Sequence, residues 1–537
     1  MSHTSPQFPK YSSVPATDPA IVLTAHRNTG VGSPTTRDQF LPVGQPHFGA
    51  EEIAAVTRVL QSGRVGMGPE TLAFERELAD ACGARHVVTV NSCTSALFLS
   101  LLVHGVGLGD EVIVPSLTWI SAANAALHAG ATPVFCDVDP YTLCATPESI
   151  RERLTPRTRA VVVVHLGGHA VDMDAIRHVI PAHIPLIEDA AHAFGARYVD
   201  GAPVGSSGNL ACFSFYANKN LSTGDGGAIA LNDDGVAERL RSLRQHALAS
   251  DAWRSEIEAR TPRPANVHEV GYKMNLTDLQ ASIGRVQLRR QREFAERRRA
   301  IATLYLHELA EMPWTIAAQW GVTDPFHARH LFLIQLPIED LGRSRDEILN
   351  GLRARNVGAT VHYTPLHHQP LYKHTACALP VTDDVATRVL TLPISASMTL
   401  DDARDVLTAL ERELSGDGVA HASLMRRVSG ALVRNRRRSL QARPGRPAAR
   451  RGAAAAARLR GSVRPRTCWG RRRGSSGPRR RRRAPFAWDA TGCRIRRADR
   501  QTSRGIPRPT SSSIPADARS RDDRESPPGG VQDHPGP

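Results

Sequence analysis

Short apolar runs alternate with helical segments through the first half of the chain. Residues 86–103 predict a strand, a turn and a helix, and residues 111–130 repeat that pattern. The run Ala160–Val164 is rich in valine and apolar on both faces, which is typical of a strand in a parallel sheet that is covered by helices. This succession of βαβ units predicts an α/β fold with a large, mostly parallel sheet.

The pattern changes after Gly271, where a smaller unit is expected. Its main elements are predicted at residues 279–310 (one long helix or two abutting helices), 330–337 and 357–365 (strands) and 401–416 (a final helix). We therefore expect a large domain over residues 40–290 and a smaller C-terminal α+β domain over residues 291–414.

The net charge of +16 belongs to the C-terminal tail, residues 415–537. The tail holds 31 arginines, no lysine and 8 acidic residues, whereas residues 1–414 carry a net charge of −7. Few apolar residues are available to offset the cost of ordering the tail, so we expect it to be disordered. Its composition is also what GC-rich DNA yields in almost any reading frame, and a frameshift near Gly416 is a second hypothesis for its origin.

Nucleic-acid binding through this tail is the alternative function of a different class, because phosphate attraction requires only charge. The tail has almost no aromatic residues to stack on bases, so nucleic-acid binding is disfavoured.

A cytoplasmic protein is expected. Residues 1–39 are polar and rich in Pro, Thr and Ser, so they predict a disordered extension without the apolar core of a signal peptide. The sequence contains no run of about 18 apolar residues, so no membrane span is predicted. The eight cysteines include no C-x-x-C pair, which is typical of reduced thiols.

Two charged residues are candidates for a ligand site. Lys219 is one of only four lysines and lies in a turn between two apolar runs, at the kind of sheet edge where α/β folds bind ligands. A solvated loop lysine is an equally good interpretation. Asp189 ends an apolar run, where a buried carboxylate needs a cation or strong donors. It either caps a following helix or holds a protonated heterocyclic nitrogen, as pyridoxal-phosphate enzymes require.

Two further segments follow predicted strands. Ser92 or Thr94 opens a helix and serves either as its cap or in binding a phosphate at the helix N-terminus. Trp119 is available to cover a flat ring, although a core position is the more common role of such a residue.

Two other patterns do not predict sites. The glycines of residues 105–110 have G-x-G-x-G spacing and precede a strand, so they indicate a turn and not a dinucleotide site. His367 and His368 lack a third metal ligand at useful spacing and are expected on a solvated loop. No metal is expected.

Taken together and in order, these segments resemble the DegT/DnrJ/EryC1/StrS family of sugar aminotransferases, which are pyridoxal-phosphate enzymes of the aspartate-aminotransferase fold (fold type I). The resemblance covers roughly residues 40–414. It implies that residues 40–290 bind pyridoxal 5'-phosphate, and that the enzyme is a homodimer with sites at the subunit interface.

The resemblance also implies roles for single residues. Lys219 is similar to the lysine that bonds covalently to the cofactor and later moves a proton, and Asp189 to the carboxylate that keeps the pyridine nitrogen protonated. His192 is similar to a residue placed against the cofactor ring. The remaining matches are one stacking aromatic, Trp119, and three phosphate-binding positions, Thr94, Ser95 and Ser214.

One segment departs from the pattern of many members. Where these have G-x-N-x-R-M, with the Asn reaching the phosphate in the partner subunit, this chain has Lys273 at the Asn position and Asn275 at the Arg position. A subgroup of the family shares the Lys–Asn arrangement, and either residue is a candidate for the phosphate contact.

The function implied by the resemblance is transfer of an amino group from an amino acid, usually glutamate, to a nucleotide-linked keto-deoxysugar, in amino-sugar, surface-polysaccharide or antibiotic biosynthesis. Some relatives have His in place of the lysine and dehydrate sugars, so Lys219 favours transamination. A keto-cyclitol is the alternative acceptor. Residues 361–372 either line the entrance, as the resemblance implies, or form a plain strand and turn.

Overall fold

The computed structural model describes residues 37–248, 267, 269–319, 324–375 and 377–416. The predictions for residues 1–36 and for the tail beyond residue 416 lie outside these residues. Among the described residues, no helix combines the length and the apolar character that crossing a membrane requires.

A seven-stranded sheet forms the centre of the larger part, with strand order β1-β7-β6-β5-β4-β2-β3. Its strands are β1 (His86–Val90), β2 (Glu111–Pro115), β3 (Thr132–Cys136), β4 (Thr158–Val164), β5 (Leu186–Asp189), β6 (Leu210–Ser214) and β7 (Gly227–Leu231). Only β7 runs antiparallel to its neighbours, which confirms the predicted α/β fold with a mostly parallel sheet. In β4, Ala160 to Val164 are all buried, because apolar clusters cover both faces of the sheet.

Helices cover the two faces of this sheet. They are α1 (Ala50–Ser62), α2 (Pro69–Cys82), α3 (Cys93–Val103), α4 (Ser121–His128), α5 (Pro147–Arg151), α6 (Met173–Val179), α7 (Asp234–Leu243) and α8 (Asp278–Arg289). Leu97, Leu99 and Leu101 of α3 are fully buried, since this helix is enclosed by the sheet and by neighbouring helices. Residues 105–110 form a turn before β2, as predicted.

A second core lies around a three-stranded sheet of order β10-β9-β8. Its elements are α9 (Gln291–Glu311), β8 (Ala317–Ala318), β9 (Phe332–Gln335), α10 (Ile338–Leu341), α11 (Arg345–Ala354), α12 (Pro380–Arg388), β10 (Val389–Leu392) and α13 (Leu400–Ser415). Helices α8 and α9 abut at Arg290, so the two-helix alternative is correct. The domain boundary near residue 290 stays a prediction.

The strand predicted at residues 357–365 does not form. Val357 and Thr360 make only isolated bridges, to Leu41 and Thr391. Gly358 donates its backbone N–H to the carbonyl of Leu41 at 2.7 Å, so an incoming segment takes the hydrogen bonds that a continuous strand needs. The chain then leaves the small sheet, and residues 361–365, called the crossing segment below, run to the carboxyl end of the large sheet.

Candidate active site

Asp189 is the last residue of β5 and is only 5% exposed. Its Oδ1 accepts a hydrogen bond from the backbone N–H of Ala191 at 3.1 Å and lies 3.8 Å from Sγ of Cys93. Within the described residues, its Oδ2 accepts no hydrogen bond. Burial raises the pKa of Asp189, although the Ala191 N–H and the amine of Lys219 oppose that rise. Turns and not a helix follow Asp189, so the interpretation of Asp189 as a helix cap is wrong.

Lys219 lies in the connection from β6 to β7, where its backbone N–H bonds to the carbonyl of Tyr216 at 2.9 Å. The side chain is partly buried, and its Nζ lies 3.5 Å from Nε2 of His330. Burial lowers the pKa of Lys219 to about 8, while Asp189 and Cys93 act in the opposite direction. The amine is therefore not the fully solvated group of an ordinary loop lysine.

His192 is buried beside this amine. Its Nδ1 accepts the backbone N–H of Gly167 at 3.2 Å, and its Nε2 lies 3.2 Å from the hydroxyl of Tyr363. Burial lowers the pKa of His192 well below its usual value, and Lys219 lowers it further. The ring is therefore neutral with its proton on Nε2, which donates to Tyr363.

The start of α3 carries a group of hydroxyls. Ser92 caps the helix, and its Oγ accepts the backbone N–H of Ser95 at 3.1 Å. The Oγ1 of Thr94 lies 2.8 Å from Oγ of Ser121. Ser121 was not predicted from the sequence as part of the site. Ser214, another predicted residue, is buried at the end of β6. Hydroxyls and free backbone N–H groups at the start of an 11-residue helix suit a phosphate.

Strand β7 lies unusually close to the start of α3. A Cβ at Gly227 would lie 2.5 Å from the carbonyl carbon of Ser92 and 2.6 Å from the backbone nitrogen of Cys93. Only glycine permits this approach, which holds the N-terminus of α3 next to the β6–β7 connection that carries Lys219.

Trp119 lies between β2 and α4 and is 58% exposed. Its ring centroid is 5.7 Å from that of Tyr363. An exposed indole beside Tyr363 can cover a flat ligand.

Lys273 and Asn275 do not join this group of residues within one protomer. Lys273 is exposed and bonds to Oε1 of Gln245 at 3.1 Å, and Asn275 bonds to the carbonyl of Leu276 at 3.0 Å. The backbone carbonyl of Met274, between them, accepts a hydrogen bond from the backbone N–H of Asn91. Residues 273–275 therefore lie beside the start of α3. The phosphate contact of either residue stays a prediction.

Three further residues of the site were not predicted from the sequence: His330, Asn220 and Tyr363. Residue 330 was part of a predicted strand, and residue 363 was part of a strand that does not form. The only signal for Tyr363 was the resemblance of residues 361–372 to an entrance segment.

The prediction for His367 is wrong. It is buried, with Nδ1 2.7 Å from Oγ of Ser116 and Nε2 2.9 Å from Oδ1 of Asp383. His368 is exposed and also contacts Asp383. Asp383 was not expected beside these histidines because it lies 16 residues after His367 in the sequence. It comes close only because α12 folds back against this loop.

Together these groups form a site for a flat, phosphorylated heterocycle. The oxygen of Asp189 that accepts no hydrogen bond among the described residues can accept a ring N–H. The hydroxyls at the start of α3 can hold an anion, and a lysine with a lowered pKa can act as nucleophile and base.

The chain is similar to known sugar aminotransferases along most of its described length. The sequence model of the DegT/DnrJ/EryC1/StrS aminotransferase family matches residues 46–411. The spore coat polysaccharide biosynthesis protein SpsC of Bacillus subtilis (strain 168) is 40% identical over 392 residues, which are 71% of this chain and 98% of SpsC.

Two solved structures extend the comparison. The aminotransferase TlmJ from Streptoalloteichus hindustanus is 37% identical with a TM-score of 0.64, over 70% of this chain and 99% of TlmJ. DesV from S. venezuelae, in complex with a ketimine intermediate, is 37% identical with a TM-score of 0.62, over 69% of this chain and 95% of DesV.

Proposed function

Since the chain belongs to the DegT/DnrJ/EryC1/StrS aminotransferase family, we propose that it moves an amino group from glutamate to a nucleotide-linked keto-deoxysugar, with pyridoxal phosphate as cofactor. Family membership makes it an aminotransferase. One observation carries the cofactor proposal: a lysine amine with a lowered pKa, Lys219, lies close enough to a buried carboxylate, Asp189, for each group to shift the pKa of the other. The similarity to SpsC supports a role in polysaccharide biosynthesis.

The residues present fit pyridoxal phosphate. The unpartnered Oδ2 of Asp189 suits a pyridinium N–H, and Thr94, Ser95 and Ser214 suit the phosphate. Trp119 and His192 would contact the ring. When bound, the cofactor supplies the electron sink for the substrate α-carbon.

The chain's own residues would then act as follows. Lys219 first holds the cofactor and afterwards, as a free amine, takes a proton from the donor and returns it during transfer. Asp189 keeps a negative charge where the ring nitrogen must stay protonated. Trp119 excludes water from the exposed side of the site.

A homodimer and a cytoplasmic location are part of this proposal. Every cysteine among the described residues is an unpaired thiol, which supports a reducing compartment. Light scattering of the full chain tests the dimer.

The decisive experiment compares Lys219→Met with Lys373→Met, because Lys373 is exposed and outside the site. Borohydride should fix the cofactor on the Lys219 peptide of the wild type and of Lys373→Met, as read by mass spectrometry. Lys219→Met should carry no fixed cofactor and lose at least about a thousandfold in turnover.

A panel of acceptors tests the substrate class. Purified enzyme in its amino form is offered several nucleotide-linked keto-deoxysugars and keto-cyclitols, with glutamate as the donor. Amination of cyclitols alone contradicts the proposed acceptor, and a fixed cofactor on another lysine contradicts the proposed site.

A further inference from the structure

We propose that His330 is the positioning residue for Lys219: its imidazole accepts an N–H from the lysine amine and thereby fixes the direction of the nitrogen lone pair. This role rests on the proposed function of Lys219. His330 lies two residues before β9 of the small sheet, and it is 3% exposed. The small-sheet part of the chain therefore supplies a partner for a side chain of the large-sheet part.

The hydrogen-bond partners of His330 fix its tautomer. The side-chain nitrogen of Asn220 donates to the carbonyl of Ala328 at 2.8 Å and is 3.5 Å from that of Phe194. The side-chain oxygen of Asn220 therefore faces Nδ1 of His330, at 3.2 Å. That oxygen can only accept, so Nδ1 carries the proton and Nε2 presents a lone pair to Lys219.

Two consecutive residues thus hold the two nitrogens of one ring. Lys219 contacts Nε2 at 3.5 Å, and Asn220 contacts Nδ1. The backbone of this pair is also fixed, since the carbonyl of Asn220 accepts from Gln291 of α9 at 2.9 Å. The ring of His192 packs against His330 with a centroid distance of 4.5 Å. His330 consequently has little freedom to turn away from the amine.

The charges around the pair keep His330 an acceptor. Burial lowers the pKa of His330 well below its usual value, and the nearby Lys219 and Arg298 lower it further. Besides each other, the groups that shift the pKa of His330 or Lys219 are Asp189 (β5), Cys93 (α3), Arg298 (α9), His192 (the loop after β5) and His362 (the crossing segment). Because the imidazole stays neutral, it does not compete with the lysine for a proton.

The hydrogen bond has two consequences for the amine. A lysine side chain has many rotamers, and an acceptor on one side restricts the amine to the geometry in which its lone pair faces away from His330. An acceptor also stabilises the ammonium form, so it raises the pKa of Lys219 against the effect of burial. Loss of the acceptor should therefore slow proton transfer and lower the pKa of Lys219.

Two variants separate these consequences from simple packing. His330→Gln places a side-chain oxygen near the position of Nε2 and keeps an acceptor, whereas His330→Met has a similar length and no acceptor at that position. The full-length wild type and both variants are saturated with pyridoxamine phosphate, which leaves the lysine amine free. Limiting acetic anhydride then labels Lys219 across pH, and mass spectrometry of its peptide gives the titration midpoint.

We expect His330→Met to lower the midpoint by at least about half a pH unit and kcat by at least about tenfold, with the KM for the acceptor within about twofold. His330→Gln should restore most of both quantities. Thermal unfolding of each protein measures the structural cost separately.

Two results would overturn the role of His330. One is a Lys219 midpoint in His330→Met equal to that of the wild type. The other is that His330→Gln and His330→Met lose kcat by the same factor and also lose the same amount of thermal stability. Absence of fixed cofactor on Lys219 of the wild type contradicts the proposed function instead, and the labelling comparison still decides whether His330 acts on the amine.

Discussion

The hydroxyl of Tyr363 and Nε2 of His192 are 3.2 Å apart, and this contact joins the crossing segment to the loop after β5. Because the backbone N–H of Gly167 occupies Nδ1, His192 donates to Tyr363. The hydroxyl hydrogen of Tyr363 remains available for another acceptor, such as a ligand oxygen.

Tyr363→Phe should leave the N–H of His192 without its acceptor. We expect the free energy of unfolding to fall by about 1–3 kcal/mol and kcat/KM to fall by about three- to tenfold. Urea denaturation and steady-state kinetics measure the two effects. A double-mutant cycle with His192→Leu provides the control: additive losses would mean that the two side chains do not interact.

The pKa of Lys219 predicts a pH dependence of stability in the cofactor-free protein. The native amine titrates at about 8, whereas an unfolded lysine titrates near 10.4. Below pH 8 the amine is protonated in both the folded and the unfolded protein, so the free energy of unfolding is reduced by the full cost of burying an ammonium group. Between the two values only the unfolded state holds the proton, so stability due to this group rises with pH.

Lys219→Met removes that cost. At pH 7 we expect the free energy of unfolding of the cofactor-free variant to exceed that of the wild type by about 1–3 kcal/mol, and the difference to shrink towards pH 10. Urea denaturation at several pH values measures it, with Lys373→Met as the exposed control. A difference that does not change with pH contradicts the lowered pKa.

Glu188 is fully buried and accepts four hydrogen bonds. Its donors are Nε2 of His165 (2.8 Å), the hydroxyl of Tyr198 (2.6 Å), Oγ of Ser207 (2.5 Å) and Nδ2 of Asn209 (2.8 Å). Although burial acts to raise the pKa of Glu188, the bonds from His165, Ser207 and Tyr198 bring it below its usual value. Glu188 directly precedes Asp189 in β5. Its four hydrogen bonds therefore hold the backbone at Asp189 in place.

Glu188→Gln should lower the free energy of unfolding by about 2–4 kcal/mol, because its amide hydrogens face donors. Tyr198→Phe is the matched control that removes one donor, with an expected loss of about 1 kcal/mol. Chemical denaturation gives both values. Equal losses in the two variants would show that the carboxylate is not the centre of this network.

The charge of the tail predicts a difference between the full chain and one that ends after residue 416. Both should transaminate at rates within about twofold, since the family match ends at residue 411. Only the full chain, with a tail charge of +23, should show the non-specific attraction to double-stranded DNA at low salt that charge alone produces, and added salt should abolish it. Such attraction would not amount to a nucleic-acid-binding function. Filter binding and kinetics measure these outcomes. Loss of transamination in the shorter chain contradicts the assignment of residues 40–414 to the enzyme.

Local sequence was sufficient where a residue and its partners lie in one segment. The run Ala160–Val164, within the strand Thr158–Val164, was predictable from its valines, and the cap of α3 was predicted at Ser92 or Thr94, of which the structure has Ser92. The alternatives for Asp189 could not be separated, since its environment depends on Cys93 and Lys219, which lie far away in sequence.

Residues of the site that approach from the small sheet were not predictable from local patterns. Residues 330–337 read as a strand, and nothing local indicates that Nε2 of His330 meets Lys219. Residues 357–365 have the pattern of a strand, but Gly358 is paired with Leu41, and the crossing segment that follows turns away from the small sheet. Contacts between distant segments decided both cases.

The placement of β7 in the large sheet has a consequence for protein synthesis. His86 pairs with Leu231 and Val90 with Gly227, so β1 must wait until the ribosome has added all of the intervening residues and β7 itself. At about 5–20 residues per second this delay is on the order of ten seconds. His330 and Tyr363 emerge later still, so a nascent chain has no complete pocket for the cofactor. We therefore expect cofactor capture to follow synthesis of nearly the whole enzyme, with the growing chain dependent on chaperones until then.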